Sequence, residues 1–185
     1  MPQYYLRSKS AFDPRRGQIM ELPGAGCLYA LAALAMAFAG FTSIVVVLRQ
    51  GTGKPLSPLH VMFTSVYIEL GLMASAFAML APVLALFGIR EILIWQISSA
   101  IMIAALVLWL FFFPIRRKVA APKDRLPLRF YIMYGLGVAV VVALGLNTYG
   151  SMFNPGPGPL AVATVFVLAT ASVIFIGNYS SYLGD

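Results

Sequence analysis

Glu69 is the residue in this chain whose type and position carry the most chemistry. It stands in the stretch TSVYIELGLMASAF, an acid in the middle of a long apolar run. A charge at the centre of a bilayer costs about 2.5–3.5 kcal/mol on insertion scales, so such a residue has a partner or a task. A carboxyl group there can carry a proton or ligate a cation. Counting about eleven residues from Pro58 at 1.5 Å each places it about 16 Å along its helix, near the midplane. The same count puts Thr42 and Ser43 of the first apolar run somewhat below that level and Ser172 of the last run at it. Tyr134 starts lower, with a ring that reaches upward. The third run offers Trp109 at this height, neither acid nor base. His60 is about 13 Å away along the axis, too far for a direct bond. The expectation is an acid among hydroxyls with no cationic partner, and apolar walls favour its neutral, protonated form. Two roles fit: a proton carrier or cation ligand in a half-channel, or an acid bonded to a neighbouring helix that holds a bundle together.

A second constellation lies at Glu91, Trp95, Ser98 and Ser99, spaced i, i+4, i+7 and i+8 on one helical face. Glu91 in a first turn complements the helix dipole. Trp95 suits a membrane interface, and serines in membrane helices bond to their own backbone or across to a neighbour. This face is expected either to anchor and pack the helix or to line an outward-facing pocket. A third group is basic: Arg116, Arg117 and Lys118, extended by Lys123, Arg125 and Arg129. Each such residue near an anionic surface contributes about 1 kcal/mol. The cluster therefore anchors topology, or docks anionic lipid headgroups or an acidic partner.

Other chemistries find no residues. With one cysteine, Cys27, and one histidine, the chain offers no intrachain disulfide, no CxxC site and no protein-only zinc or haem site. HExxH, GxSxG, the P-loop and paired aspartates are absent from the sequence. No enzyme, cofactor or metal is expected. The nine methionines are scattered through the apolar runs as gap-fillers.

The elements that must position these groups are transmembrane helices. The chain is 61% hydrophobic and 10% charged, with mean hydropathy +0.88, against roughly 45–50% apolar in an average soluble protein. Lipid is the solvent for that excess. A span needs about 20 apolar residues, and five runs qualify: Gly24 to Leu48, Pro58 to Phe87, Ile92 to Ile115, Phe130 to Leu146 and Leu160 to Gly177. Ser57-Pro58 reads as a helix start, Gly88 as a stop, and Pro114 as punctuation just before Arg116. The run Asn154-Pro155-Gly156-Pro157-Gly158-Pro159 reads as a connector that is neither helix nor strand. The second run is too long for a hydrocarbon core of about 30 Å unless it tilts or kinks, and Pro82 is the expected kink. Small-residue faces supply close packing where lipid gives no hydrophobic drive. They are Ala33/Ala37 and Ala35/Ala39, Gly71/Ser75, and Gly135/Ala139/Ala143. The fold class is thus all-α: a single five-helix integral membrane bundle over residues 24–181, with a basic tail at 1–23 and a short tail at 182–185.

The formal charge of +7 gathers beside the apolar runs, a pattern of membrane topology and not of nucleic-acid binding. One side holds Arg7, Lys9, Arg15, Arg16 and Arg90. The other holds Arg49, Lys54, Arg116, Arg117, Lys118, Lys123, Arg125 and Arg129. The second set is larger and closer to helix ends, so it is expected in the cytoplasm, with the N-terminus outside and the C-terminus inside. Cleavage after Ala37-Phe38-Ala39 would put the basic loop outside and is disfavoured. The stretch Leu80-Ala81-Pro82, then Gly88, then Trp95-Gln96-Ile97-Ser98-Ser99-Ala100 resembles a segment of small, uncharacterised multi-spanning bacterial membrane proteins. That resemblance implies a bacterial inner membrane and carries no functional residue. The expected role is a non-enzymatic interaction or assembly component, with a homo-oligomer or other membrane subunits as partners. The alternative is a small oligomeric proton or cation transporter using Glu69.

Overall fold

The computed structural model describes residues 22–51, 58–120, 128–149 and 155–183. Five helices account for nearly all of them: α1 (Ala25–Gln50), α2 (Pro58–Ala85), α3 (Glu91–Ala120), α4 (Leu128–Tyr149) and α5 (Pro157–Leu183). No strand occurs among the described residues. All five are long and apolar enough to cross a membrane. The expected all-α bundle of five spanning helices is what the chain forms.

Two expected boundaries are corrected, both at prolines. Pro114 does not end the third span, because α3 runs through it to Ala120. The extension carries the basic residues into the helix, where Arg117 and Lys118 complement the last turn's dipole. The proline-rich connector is also shorter than its composition indicates. Helix α5 begins at Pro157 and takes Pro157, Gly158 and Pro159 as its first turn. The first N–H groups of a helix have no intrahelical acceptor, so prolines there forfeit nothing. Gly88 does close α2's turn, with a left-handed φ of 67° and i to i−3 bonds from Leu86, Phe87 and Gly88. Ser57 lies outside the described residues.

The bundle is organised around α2, which packs on α1, α5 and α3. Its interior combines small residues, rings and aliphatics such as Leu28, Leu70, Ile94 and Leu160, and its outer surface carries large aliphatics such as Leu34, Ile44, Leu72 and Val142. At Gly71 α1 and α2 approach closely: an added Cβ would lie 3.2 Å from the Ala39 Cβ and 3.6 Å from the Ala35 carbonyl oxygen. Ala35, Ala39, Gly71 and Ser75 are all buried, so that pair of small faces packs α1 against α2. Ala33 and Ala37 face outward instead, and so does the whole Gly135/Ala139/Ala143 ridge of α4. Rings complete the joins. Phe175 of α5 meets Tyr67 of α2 edge-on at 5.3 Å and Phe38 of α1 at 6.0 Å. A stacked column runs Phe63, Phe130, Phe113 and Trp109, at 6.0, 5.9 and 5.0 Å, and ties α2, α4 and α3 together.

Candidate functional site: an ion pair on the outer face

Glu69 has a cationic partner, and this overturns the expectation of a hydroxyl pocket. Arg116 Nη1 donates to Glu69 Oε2 at 2.6 Å and Nη2 donates to Oε1 at 3.0 Å, a two-pronged guanidinium–carboxylate pair. The physical reason lies in side-chain direction. Cα–Cβ bonds tilt toward a helix's own N-terminus. The N-terminus of α2 and the C-terminus of α3 lie at the same end of the bundle. Glu69 therefore points down toward that end, and Arg116 points up from it. Measured from each helix centre, Glu69 sits about 4 Å and Arg116 about 16 Å toward that end. Two long side chains reaching for each other close the interval of about 12 Å.

The four hydroxyls expected around Glu69 are not brought to it. Thr42 and Ser43 both donate to the Ala39 carbonyl, at 3.0 and 2.7 Å. Ser172 donates to the Leu168 carbonyl at 2.9 Å. Tyr134 crosses to α3 and donates to the Leu110 carbonyl at 3.1 Å. Three of these are bonds back to the residue's own helix, the default for a hydroxyl in an apolar helix.

The ion pair is not interior. Side-chain exposure is 45% for Glu69 and 40% for Arg116, and exposed Leu72, Phe112 and Ile115 are their near neighbours in sequence. On α2 the residues Ser65, Glu69, Leu72, Ala76, Met79 and Val83 recur at steps of three and four, and from Glu69 onward each is exposed. That is a continuous outward stripe with the charge pair on it. In water such a pair contributes about 0–1 kcal/mol. Against hydrocarbon the same pair is a local polar demand, because each charge there carries the insertion cost given above.

The remaining basic residues divide. Arg117 is buried, with its guanidinium carbon 5.9 Å from the centre of the Phe130 ring, a cation–π arrangement. Lys118 is exposed. Lys123 and Arg125 lie outside the described residues. Arg129 falls in the first turn of α4, and its side chain is likewise outside the description.

At the opposite end, Trp95, Ser98 and Ser99 are fully buried and Glu91 is exposed. Trp95 is thus a core residue and not an interfacial anchor, and its indole N–H points back to Glu91 Oε1 at 3.4 Å. Ser98 Oγ is buried without a hydrogen-bond partner. Ser99 accepts from Asn147 Nδ2 at 2.8 Å. Asn147 also clasps Gly156, accepting its N–H at 3.0 Å and donating to its carbonyl at 3.3 Å. That side-chain amide joins the ends of α3, α4 and α5, and sequence reading missed it. The signal was present: an asparagine in the last turn of an apolar span, just before a proline-rich connector.

No protein-family profile, curated protein or solved structure matches this chain. The resemblance drawn from Leu80 to Ala100 finds no counterpart there. Function therefore rests on geometry alone.

Proposed function

We propose that this protein is a non-enzymatic interaction or assembly component of a membrane, and that the stripe around the Glu69–Arg116 pair is its docking face. One observation carries this reading: a two-pronged ion pair about two-fifths exposed on a surface otherwise made of lipid-compatible side chains. A partner helix that presents a polar or charged group at that depth would satisfy the pair and cover the stripe. The outward Gly135/Ala139/Ala143 ridge adds a second face on which another backbone can approach closely. The pairing also speaks against Glu69 as a proton carrier, because each protonation would first have to break two charge-assisted bonds.

The proposed setting is a bacterial inner membrane, with Arg116, Arg117 and Lys118 at the cytoplasmic face and the starts of α1, α3 and α5 outside. The support is the positive-inside rule.

The test is the protein mass per particle, with lipid and scaffold subtracted, after extraction in native-lipid nanodiscs. A protein mass above the 20.0 kDa of one chain is expected from the native sequence, falling to that of one chain for the paired change Glu69→Leu with Arg116→Leu. A native particle at the mass of one chain overturns the reading. So does proton flux in liposomes that the native chain supports and Glu69→Gln abolishes.

A further inference from the structure

Pro114 stands inside α3 and lacks the N–H that a helix uses at every step. In an unbroken helix the amide of residue i donates to the carbonyl of residue i−4. The carbonyl that loses its helix donor at Pro114 is therefore that of Leu110. This is the same carbonyl to which Tyr134 of α4 donates at 3.1 Å. A bare carbonyl is costly in an apolar layer, and a neighbouring helix is one of the places from which it is satisfied. The phenol hydroxyl takes the role of the missing amide. One turn away on the same face of α4, the Phe130 ring stacks on Phe113 at 5.9 Å and lies under the Arg117 guanidinium. Helix α4 thus holds α3 before the proline with Tyr134 and across it with Phe130.

A helix proline whose freed carbonyl is held from outside is a hinge with a latch. Prolines are where helices bend by more than about 20°, and packing does little to oppose a bend here. Leu110, Phe113 and Tyr134 line a void of about 30 Å³, room for two or three waters at about 10–15 Å³ each. The rings beside the proline therefore have space to shift. Beyond the hinge, α3 carries Arg116, Arg117 and Lys118. A change of kink of about 20° carries a guanidinium roughly 7 Å from the pivot sideways by about 2 Å. The Arg116–Glu69 bonds of 2.6 and 3.0 Å do not survive that displacement. We infer that Tyr134 is a latch: its hydroxyl replaces the amide that Pro114 lacks, fixes the angle of the last turns of α3, and so positions Arg116 on Glu69. What this does for a partner rests on the docking face proposed above; the latch itself does not.

Hydrogen exchange of the amides at 115–118, measured in native-lipid nanodiscs, reads the latch. Tyr134→Phe keeps the ring and removes only the hydroxyl. It is expected to speed exchange there about fivefold or more, the effect of stranding one buried acceptor. Pro114→Ala returns an N–H to the helix, and in that background Tyr134→Phe is expected to change exchange less than about twofold. A role in packing alone would act alike in both backgrounds. Equal acceleration in the two, or none with the native proline, overturns the inference. The drop in thermal midpoint caused by Arg116→Leu is expected to shrink when Tyr134→Phe is also present, because the pair is then already loosened. An undiminished drop would separate Tyr134 from Arg116 and overturn the positioning role. A native particle of one chain would end the docking reading, whereas exchange and this cycle would still decide the latch.

Discussion

The Glu69–Arg116 pair and the Ser98–Asn147 neighbourhood make opposite demands on a single substitution. Removing Arg116 alone leaves a carboxylate facing hydrocarbon, whereas removing both partners leaves only aliphatic surface. Arg116→Leu is therefore expected to lower the thermal midpoint in nanodiscs more than Glu69→Leu with Arg116→Leu together. The bound on the difference is the insertion cost of one charge, about 2.5–3.5 kcal/mol. Asn147 satisfies three groups at once. Asn147→Ala strands the Gly156 amide and is expected to cost about 1–3 kcal/mol in reversible unfolding. Ser98→Ala removes a hydroxyl that bonds nothing and is expected to leave stability unchanged or raise it. A loss from Ser98→Ala as large as that from Asn147→Ala would contradict this assignment. Glu69 was legible in the sequence as an unusual residue, but its partner was not. Counting rises locates Cα atoms, and Arg116 joins Glu69 through the reach and tilt of two long side chains.

At the scale of elements, the helices were legible because each carries far more apolar length than a soluble fold accommodates. Their ends were less so, because proline has two meanings. At Pro114 the sequence context reads as a stop, yet the helix continues. At Pro157 and Pro159 it reads as a loop, yet the residues form a first turn. Small-residue spacing likewise identifies faces without saying which of them are used. Ala35/Ala39 pack inside the chain, while Ala33/Ala37 and Gly135/Ala139/Ala143 do not. A matched pair of variants separates the two cases. Gly71→Val drives branched carbon into Ala39 and Phe38 and is expected to loosen α1 from α2, costing about 1–3 kcal/mol as overpacking does. Gly135→Val meets nothing within 4 Å. It should leave the monomer's unfolding unchanged, and any effect it has should appear in particle mass.

At the scale of the molecule, large aliphatics cover the outer surface, while hydroxyls and the Asn147 amide are turned inward among buried rings, small residues and further aliphatics. The chain's single cysteine gives a direct measure of which way it is inserted. Cys27 is exposed in the first turn of α1, at the end of the bundle away from Arg117. A membrane-impermeant maleimide applied to intact cells is expected to label it. Labelling only after the membrane is breached would reverse the proposed orientation.

The start of α1 is held by α5, the described helix farthest from it in sequence. Gly24, in a left-handed conformation with φ 79°, lies so close to Pro157 that an added Cβ would sit 2.9 Å from the proline's own. Phe175 then wedges its ring against Phe38, Phe41 and Tyr67. Helix α1 thus receives part of its lodging only when α5 arrives. Until translation passes Phe175, α1 and α2 stand in the membrane as an open pair with its seam exposed. Nascent chains halted before Pro157 should be the ones that quality-control proteases find.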